Sequence, residues 1–170
     1  MTHPNATGPV VRPPVDRAWQ FRELQRNRLE RYLQLQHDEG DEVARETSLD
    51  GYPEKQRDKM GPLITGRPLI HGFQQAVPMF ATIGVAEEVI DVSDGETDAV
   101  LEIATTCMCA TACRDLGLST AVPVLCELDF EATRRAFPNM TVKAVRRQVD
   151  GAHVCIFRYA RPHDQEDTND

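Results

Sequence analysis

The sequence predicts an α+β fold: N-terminal helices, then a ββ-α-α-ββ unit whose hairpins build an antiparallel sheet of about four strands, covered on one face by helices. Three observations predict it. Helix formers crowd residues 17–38. Strand-like runs flank Asp94-Gly95, and others flank Asp150-Gly151, which is the turn chemistry of β-hairpins. Between the two hairpins lie two helix-like segments.

Met1 to Val15 is polar, and Pro4, Pro9, Pro13 and Pro14 forbid a continuous helix there. Residues 1–15 therefore read as a disordered tail. Asp16 is a candidate N-cap for a helix from Arg17 to Asp38, whose Trp19, Phe21, Leu29 and Tyr32 follow a helical period better than a strand period. Gly40 ends it. Asp41 caps a second helix through Leu49, stopped by Asp50-Gly51. Glu54 to Met60 reads as a short exposed helix or a loop. An apolar helix follows from about Pro68, with proline at its first position. It is kinked or restarted near Pro78 and is expected to be the most buried helix.

The strands Glu88–Ser93 and Ala99–Ala104 make the first hairpin. Cys107 then opens a helix that ends at Gly117, a C-cap. Thr120 to Leu128 reads as a connector, and Asp129 as the N-cap of a helix from Phe130 to Phe137 that Pro138-Asn139 stops. Thr141–Val149 and Ala152–Tyr159 make the second hairpin. The reading is one α+β domain over 16–161 and a disordered acidic tail over 162–170.

A chain of 170 residues with 41% hydrophobic and 27% charged residues has the size and composition of one globular domain. Its net charge of -8 argues against a nucleic-acid partner, because no basic surplus exists to displace counterions from phosphates. No apolar run approaches the roughly 18 residues a membrane span needs, and the N-terminus has no apolar signal core. The expected partner is a small-molecule substrate, with a homo-oligomer possible. The expected location is cytoplasmic, where thiols stay reduced.

All five cysteines fall between 107 and 155, three of them in Cys107-Met108-Cys109-Ala110-Thr111-Ala112-Cys113. Cysteine often serves as a small buried filler, and Cys109 and Cys113, four apart on one helix face, suit that role. Cys107 differs. It follows a strand and opens a helix, where free N–H groups and the helix dipole favour a thiolate. Such a site also suits a nucleophile. Cys155 shares a strand face with Phe157 and Tyr159. A rival reading makes Cys107, Cys126 and Cys155 ligands for zinc or iron, though their spacing matches no standard thiolate knuckle. No cofactor is otherwise expected.

Other candidates are weaker. His71 stands in an apolar stretch as a base or substrate contact, Asp129 is close to Cys126, and Arg146 or Arg147 is able to meet a carboxylate. Glu88, Asp91 and Glu102 read as strand residues on a solvated face.

The order Cys107 opening a helix, Arg114-Asp115-Leu116-Gly117, Cys126-x-x-Asp129, Phe137-Pro138-Asn139, Arg146-Arg147 and Gly151-x-x-x-Cys155-x-Phe157-Arg158-Tyr159 resembles the L-2-amino-thiazoline-4-carboxylic acid hydrolase family over about Glu102 to Arg161. The segment from Gly151 to Phe157 is also similar to the close of vinyl-reductase-type small-molecule-binding domains. The first resemblance implies a hydrolase that opens an amidine-like ring at a C–N bond. Cys107, Asp129 and Cys126 would be catalytic, and Cys155, His71, Arg146 and Phe157 would line the substrate site. The second implies a non-catalytic domain that binds a small molecule or a metal. A third possibility is a biosynthetic enzyme of the same fold that acts on a different heterocycle.

Overall fold

The computed structural model describes residues 16–163. The tail expected over 1–15, and residues 164–170 of the acidic tail, lie outside the described residues. The elements run α1 (Arg17–Glu39), α2 (Asp41–Leu49), α3 (Tyr52–Ile64), α4 (Leu69–Ala81), β1 (Glu87–Asp91), β2 (Thr97–Ala104), α5 (Met108–Asp115), α6 (Val124–Ala136), β3 (Thr141–Arg146) and β4 (Cys155–Pro162), with a 3-10 turn at Gln148–Asp150 before β4. This is the α+β order the sequence predicts. Among the described residues no helix is long and apolar enough to cross a membrane.

The strands form an antiparallel sheet in the order β1-β2-β4-β3. Each hairpin pairs within itself, and the two join through β2 and β4, where Ala104 faces Cys155, Glu102 faces Phe157 and Val100 faces Tyr159. Successive side chains on a strand point to opposite faces. One set of alternate residues, Val100, Glu102 and Ala104 with Cys155, Phe157 and Tyr159, therefore looks toward the helices. On that side α4 packs against β1 and β2, and α6 against β3.

Several boundaries differ from the sequence reading, each for a packing reason. Helix α6 begins at Val124, so Asp129 is mid-helix and not a cap, and Cys126 is helical, not part of a connector. The buried residues Leu125, Leu128, Ala132 and Ala136 carry one helical stripe through that segment. Helix α3 runs through Gly61 and Pro62 because burial of Met60 and Ile64 outweighs their helix-breaking tendency. Asp41 is the first residue of α2 and Gly40 its N-cap, while Pro68 is the N-cap of α4. Helix α4 passes through Pro78 without restarting, and α6 buries more of its residues than α4 does. Strand β3 stops at Arg146, whereas β4 continues through Pro162, so Pro162 is sheet and not tail.

Two apolar clusters form the interior. One joins α1, α2, α5 and α6 around Leu29, Tyr32, Leu49 and Leu128. The other joins α3, α4, α6 and the sheet around Ile64, Phe73, Val100, Phe130 and Tyr159. Cys126 and Phe157 pack against both. Where α3 crosses α4, a Cβ on Gly72 would come within 2.4 Å of the Leu63 carbonyl oxygen, so glycine permits the crossing.

A buried ion pair fastens that corner to the sheet. Arg161 Nε on β4 donates to Asp98 Oδ2 on β2 at 2.9 Å. The Leu69 N–H at the start of α4 donates to both Asp98 oxygens, at 3.0 and 3.1 Å. Arg161 also donates to the carbonyls of Ile64 and Arg67. Removing one partner of such a pair leaves the other charge buried and unpaired. Asp98→Ala is therefore expected to lower the unfolding free energy by about 3 kcal/mol or more, read from the urea midpoint. An unchanged midpoint would show that the clamp contributes nothing.

Candidate functional site

Strand β2 ends at Ala104, and three residues later Cys107 takes the N-cap position of α5. A helix start leaves backbone N–H groups without partners, and serine, threonine or aspartate usually accepts one of them. Here the sulfur does so: the Ala110 N–H donates to Cys107 Sγ at 3.3 Å. Cys155, first residue of β4, sits against the same sulfur, and its own Sγ accepts the Gln148 N–H at 3.4 Å. The neighbouring Cys155 thiol, with the Ala110 and Cys109 N–H groups, outweighs burial and brings the Cys107 thiol down to about 6. Cys155 moves the other way, well above the ordinary thiol range, because it neighbours that sulfur and its site is buried.

Cys109 and Cys126 form a second pair, in which Cys126 is raised by its bond to Cys109 and by burial. Cys109, however, turns its sulfur to the Val122 carbonyl at 2.9 Å as a donor. Cys107, by contrast, accepts a helix-start N–H, as Cys155 accepts the Gln148 N–H. Cys113 packs in the core against the Val122 backbone and is raised by burial. All five cysteines are free thiols.

Cys107, Cys109, Cys126 and Cys155 line one end of a cavity of about 450 Å³ between the helices and the sheet. Asp129 lies one helical turn beyond Cys126. Its Oδ1 accepts from Tyr52 Oη at 2.5 Å and Gln56 Nε2 at 2.6 Å. Arg28 lies over the Tyr52 ring, 4.4 Å from its centroid. Burial nonetheless leaves the Asp129 carboxyl above its ordinary range. Across the cavity, Glu102 is raised to about 8 by burial and then by the neighbouring charges of Glu87 and Asp129. Glu87 is raised to about 7, again chiefly by burial. Lys59, whose Nζ lies 4.1 Å from the centroid of the Phe80 ring, is lowered by burial. Aromatic side chains close the far end, where Phe73 meets Tyr159 at 4.7 Å and Phe130 meets Phe157 at 5.1 Å between ring centroids.

Of the residues singled out from sequence, the fold brings Cys107, Cys126, Cys155, Asp129 and Phe157 to this cavity. It leaves His71 and Arg146 exposed and outside the wall. His71 stands on the side of α4 away from buried Leu69, Phe73 and Ala76. Glu102 is not on a solvated face; it projects into the cavity. Glu87, Lys59, Tyr52 and Gln56 were missed because their roles arise from contacts between distant segments. Among the described residues no three His, Cys, Asp or Glu side chains are placed to hold a metal ion, so Cys107, Cys126 and Cys155 do not form such a set.

Helices over an antiparallel sheet, enclosing thiols, carboxyls and aromatic rings, define an α+β domain built around an interior cavity. The chain belongs to the L-2-amino-thiazoline-4-carboxylic acid hydrolase family, whose profile matches residues 21–159. A comparison with curated proteins finds no match. Among solved structures, the phenol-responsive sensory domain of the transcription activator PoxR, determined with phenol, is similar in fold. Its TM-score is 0.51 at 12% identity, over 92% of this chain and 79% of that chain.

The carboxyls make stability depend on pH. Glu102 moves from an ordinary 4.5 to about 8. Between those values the folded protein keeps a proton that the unfolded chain has released, so stability falls as pH rises through that window. Glu102→Gln removes this fall. Its urea midpoint is expected to gain on the parent's steadily from pH 4.5 to about 8 and to keep a constant lead above that. A lead independent of pH would contradict the assignment.

Proposed function

We propose that the chain is a hydrolase that opens a small cyclic amidine, with Cys107 as the nucleophile. The observation that carries this reading is a thiol that faces the cavity, accepts a helix-start N–H and is brought down to about 6. Membership of the hydrolase family supports it. Ionised at neutral pH, the thiolate is the nucleophilic form.

The reaction follows from that state. Cys107 Sγ adds to the amidine carbon and forms a C–S bond. The ring nitrogen, already protonated in the amidinium form, takes a second proton from Cys155 or from a nearby carboxyl as the ring C–N bond breaks. One water adds to the carbon of the adduct, the C–S bond to Cys107 breaks and returns the thiolate, and of the water's two protons one reloads that donor and one goes to solvent. The sum is substrate plus one water, with oxygen on the former ring carbon and two hydrogens on the freed nitrogen. Asp129, oriented by Tyr52 and Gln56, anchors the amino group through its second oxygen. Cys126 and Phe157 line the ring. No cofactor enters these steps. A nucleophilic thiol needs a reducing compartment, so the location proposed is cytoplasmic.

A second reading is a non-catalytic small-molecule-binding domain. The aromatic end of the cavity favours it, as does the fold shared with a sensory domain determined with phenol. Turnover separates the two. Cys107→Ser keeps an oxygen acceptor at the N-cap and is expected to fold normally. It should open 2-amino-thiazoline-4-carboxylate at least about 10³-fold more slowly than the parent. Undiminished turnover in the folded variant would end the nucleophile assignment.

A further inference from the structure

The cavity is graded along the strands. At its first level Cys155 faces Ala104 beside Cys107; at the next Phe157 faces Glu102; at the third Tyr159 faces Val100. Helix α6 repeats the order with Cys126, then Asp129 and Phe130, then Thr133, all in the cavity wall. Thiols, carboxyls and aromatic rings thus follow one another at steps of about 6.6 Å, the rise of two strand residues.

An amidine held at both ends sets a length. A carbon under attack lies about 3.2 Å from the sulfur. A C–N bond adds about 1.3 Å, and an N–H···O contact about 2.9 Å. A carboxyl that holds the nitrogen of such an amidine stands about 7 Å from the thiolate. Glu102 is one strand step from Ala104 in the wall that Cys107 also lines, and what perturbs it is burial and neighbouring charge, with no hydrogen bond from the protein. Glu87 is its diagonal neighbour on the same face of the β1–β2 pair and is likewise without one. Lys59 is stacked on Phe80.

The remaining wall is mostly apolar, with Arg28, Lys55 and Lys59 among its charged members. A dry cavity of about 150 Å³ holds benzene. The cavity here is about 450 Å³, far more than a bare five-membered ring fills. Beyond the carboxyl level its wall is Phe73, Phe130, Phe137, Met140 and Tyr159. We propose that the substrate of this chain is an amphipathic cation. Its amidinium head lies between Asp129 and Glu102, with Glu87 behind Glu102, and an aryl or branched alkyl arm fills the aromatic end. Placing the reactive carbon at the thiol end rests on the reading of Cys107 as nucleophile; the charge and the arm do not.

Calorimetry on the Cys107→Ser protein tests this with acetamidine, benzamidine, 4-phenylbenzamidine and the neutral 4-phenylbenzamide. The 4-phenylbenzamidine is expected to bind at least about 100-fold more tightly than acetamidine and at least about 10-fold more tightly than the amide. Glu102→Gln is expected to reduce the preference over the amide and keep the dependence on the rings. Equal affinity for acetamidine and 4-phenylbenzamidine would overturn the arm, and equal affinity for amidine and amide would overturn the charge. Both comparisons need only protein with Glu102 intact, so they stand whether or not Glu102→Gln folds. If the arylated probes bind but the parent opens no cyclic amidine, the hydrolase reading fails and this one holds. If the parent opens 2-amino-thiazoline-4-carboxylate yet binds no arylated probe, this one fails alone.

Discussion

The Ala110 N–H donates to a sulfur at the start of α5, and the chemistry of the cavity depends on that contact. A helix N-terminus concentrates unpaired N–H groups and partial positive charge, and a thiolate there is favoured over a thiol. Cys155 adds a neighbouring thiol from β4. The site therefore needs the sheet register that sets Cys155 opposite Ala104, at the end of the strand that leads into α5. Local helix chemistry and long-range strand pairing meet on one atom.

Around that atom the interior is divided. Two apolar clusters hold the helices and the sheet, and Cys126 and Phe157 touch both. The space between them carries carboxyls that burial keeps above their ordinary range, facing a lysine that burial lowers. Such groups do not stabilise an empty cavity. Carboxyls of raised proton affinity along the wall of an apolar cavity are what a ligand site looks like.

Much of the architecture was legible in the sequence. Asp94-Gly95 and Asp150-Gly151 mark the two turns, and a strand-like run leading into Cys107 and a helix places that residue at a helix start. Cys155, Phe157 and Tyr159 share a face by simple alternation. Other features were hidden because they depend on what covers what. Leu101 and Ile103 look like the inward face of β2, yet the helices cover the face bearing Val100, Glu102 and Ala104. Asp129 reads as a cap because aspartate favours caps, and only the buried stripe upstream of it extends the helix past that position. Tyr52 and Gln56 reach Asp129 from more than seventy residues away, a relation that spacing does not encode.

The central claim is that the fold ionises one particular sulfur. The most direct measurement is the rate of alkylation of Cys107 by iodoacetamide as a function of pH, read by peptide mass spectrometry. The account predicts a midpoint near 6 and a rate that is flat above neutrality. A rate that keeps rising to a midpoint near 9, the ordinary thiol value, would mean that neither the helix start nor Cys155 acts on that sulfur as described.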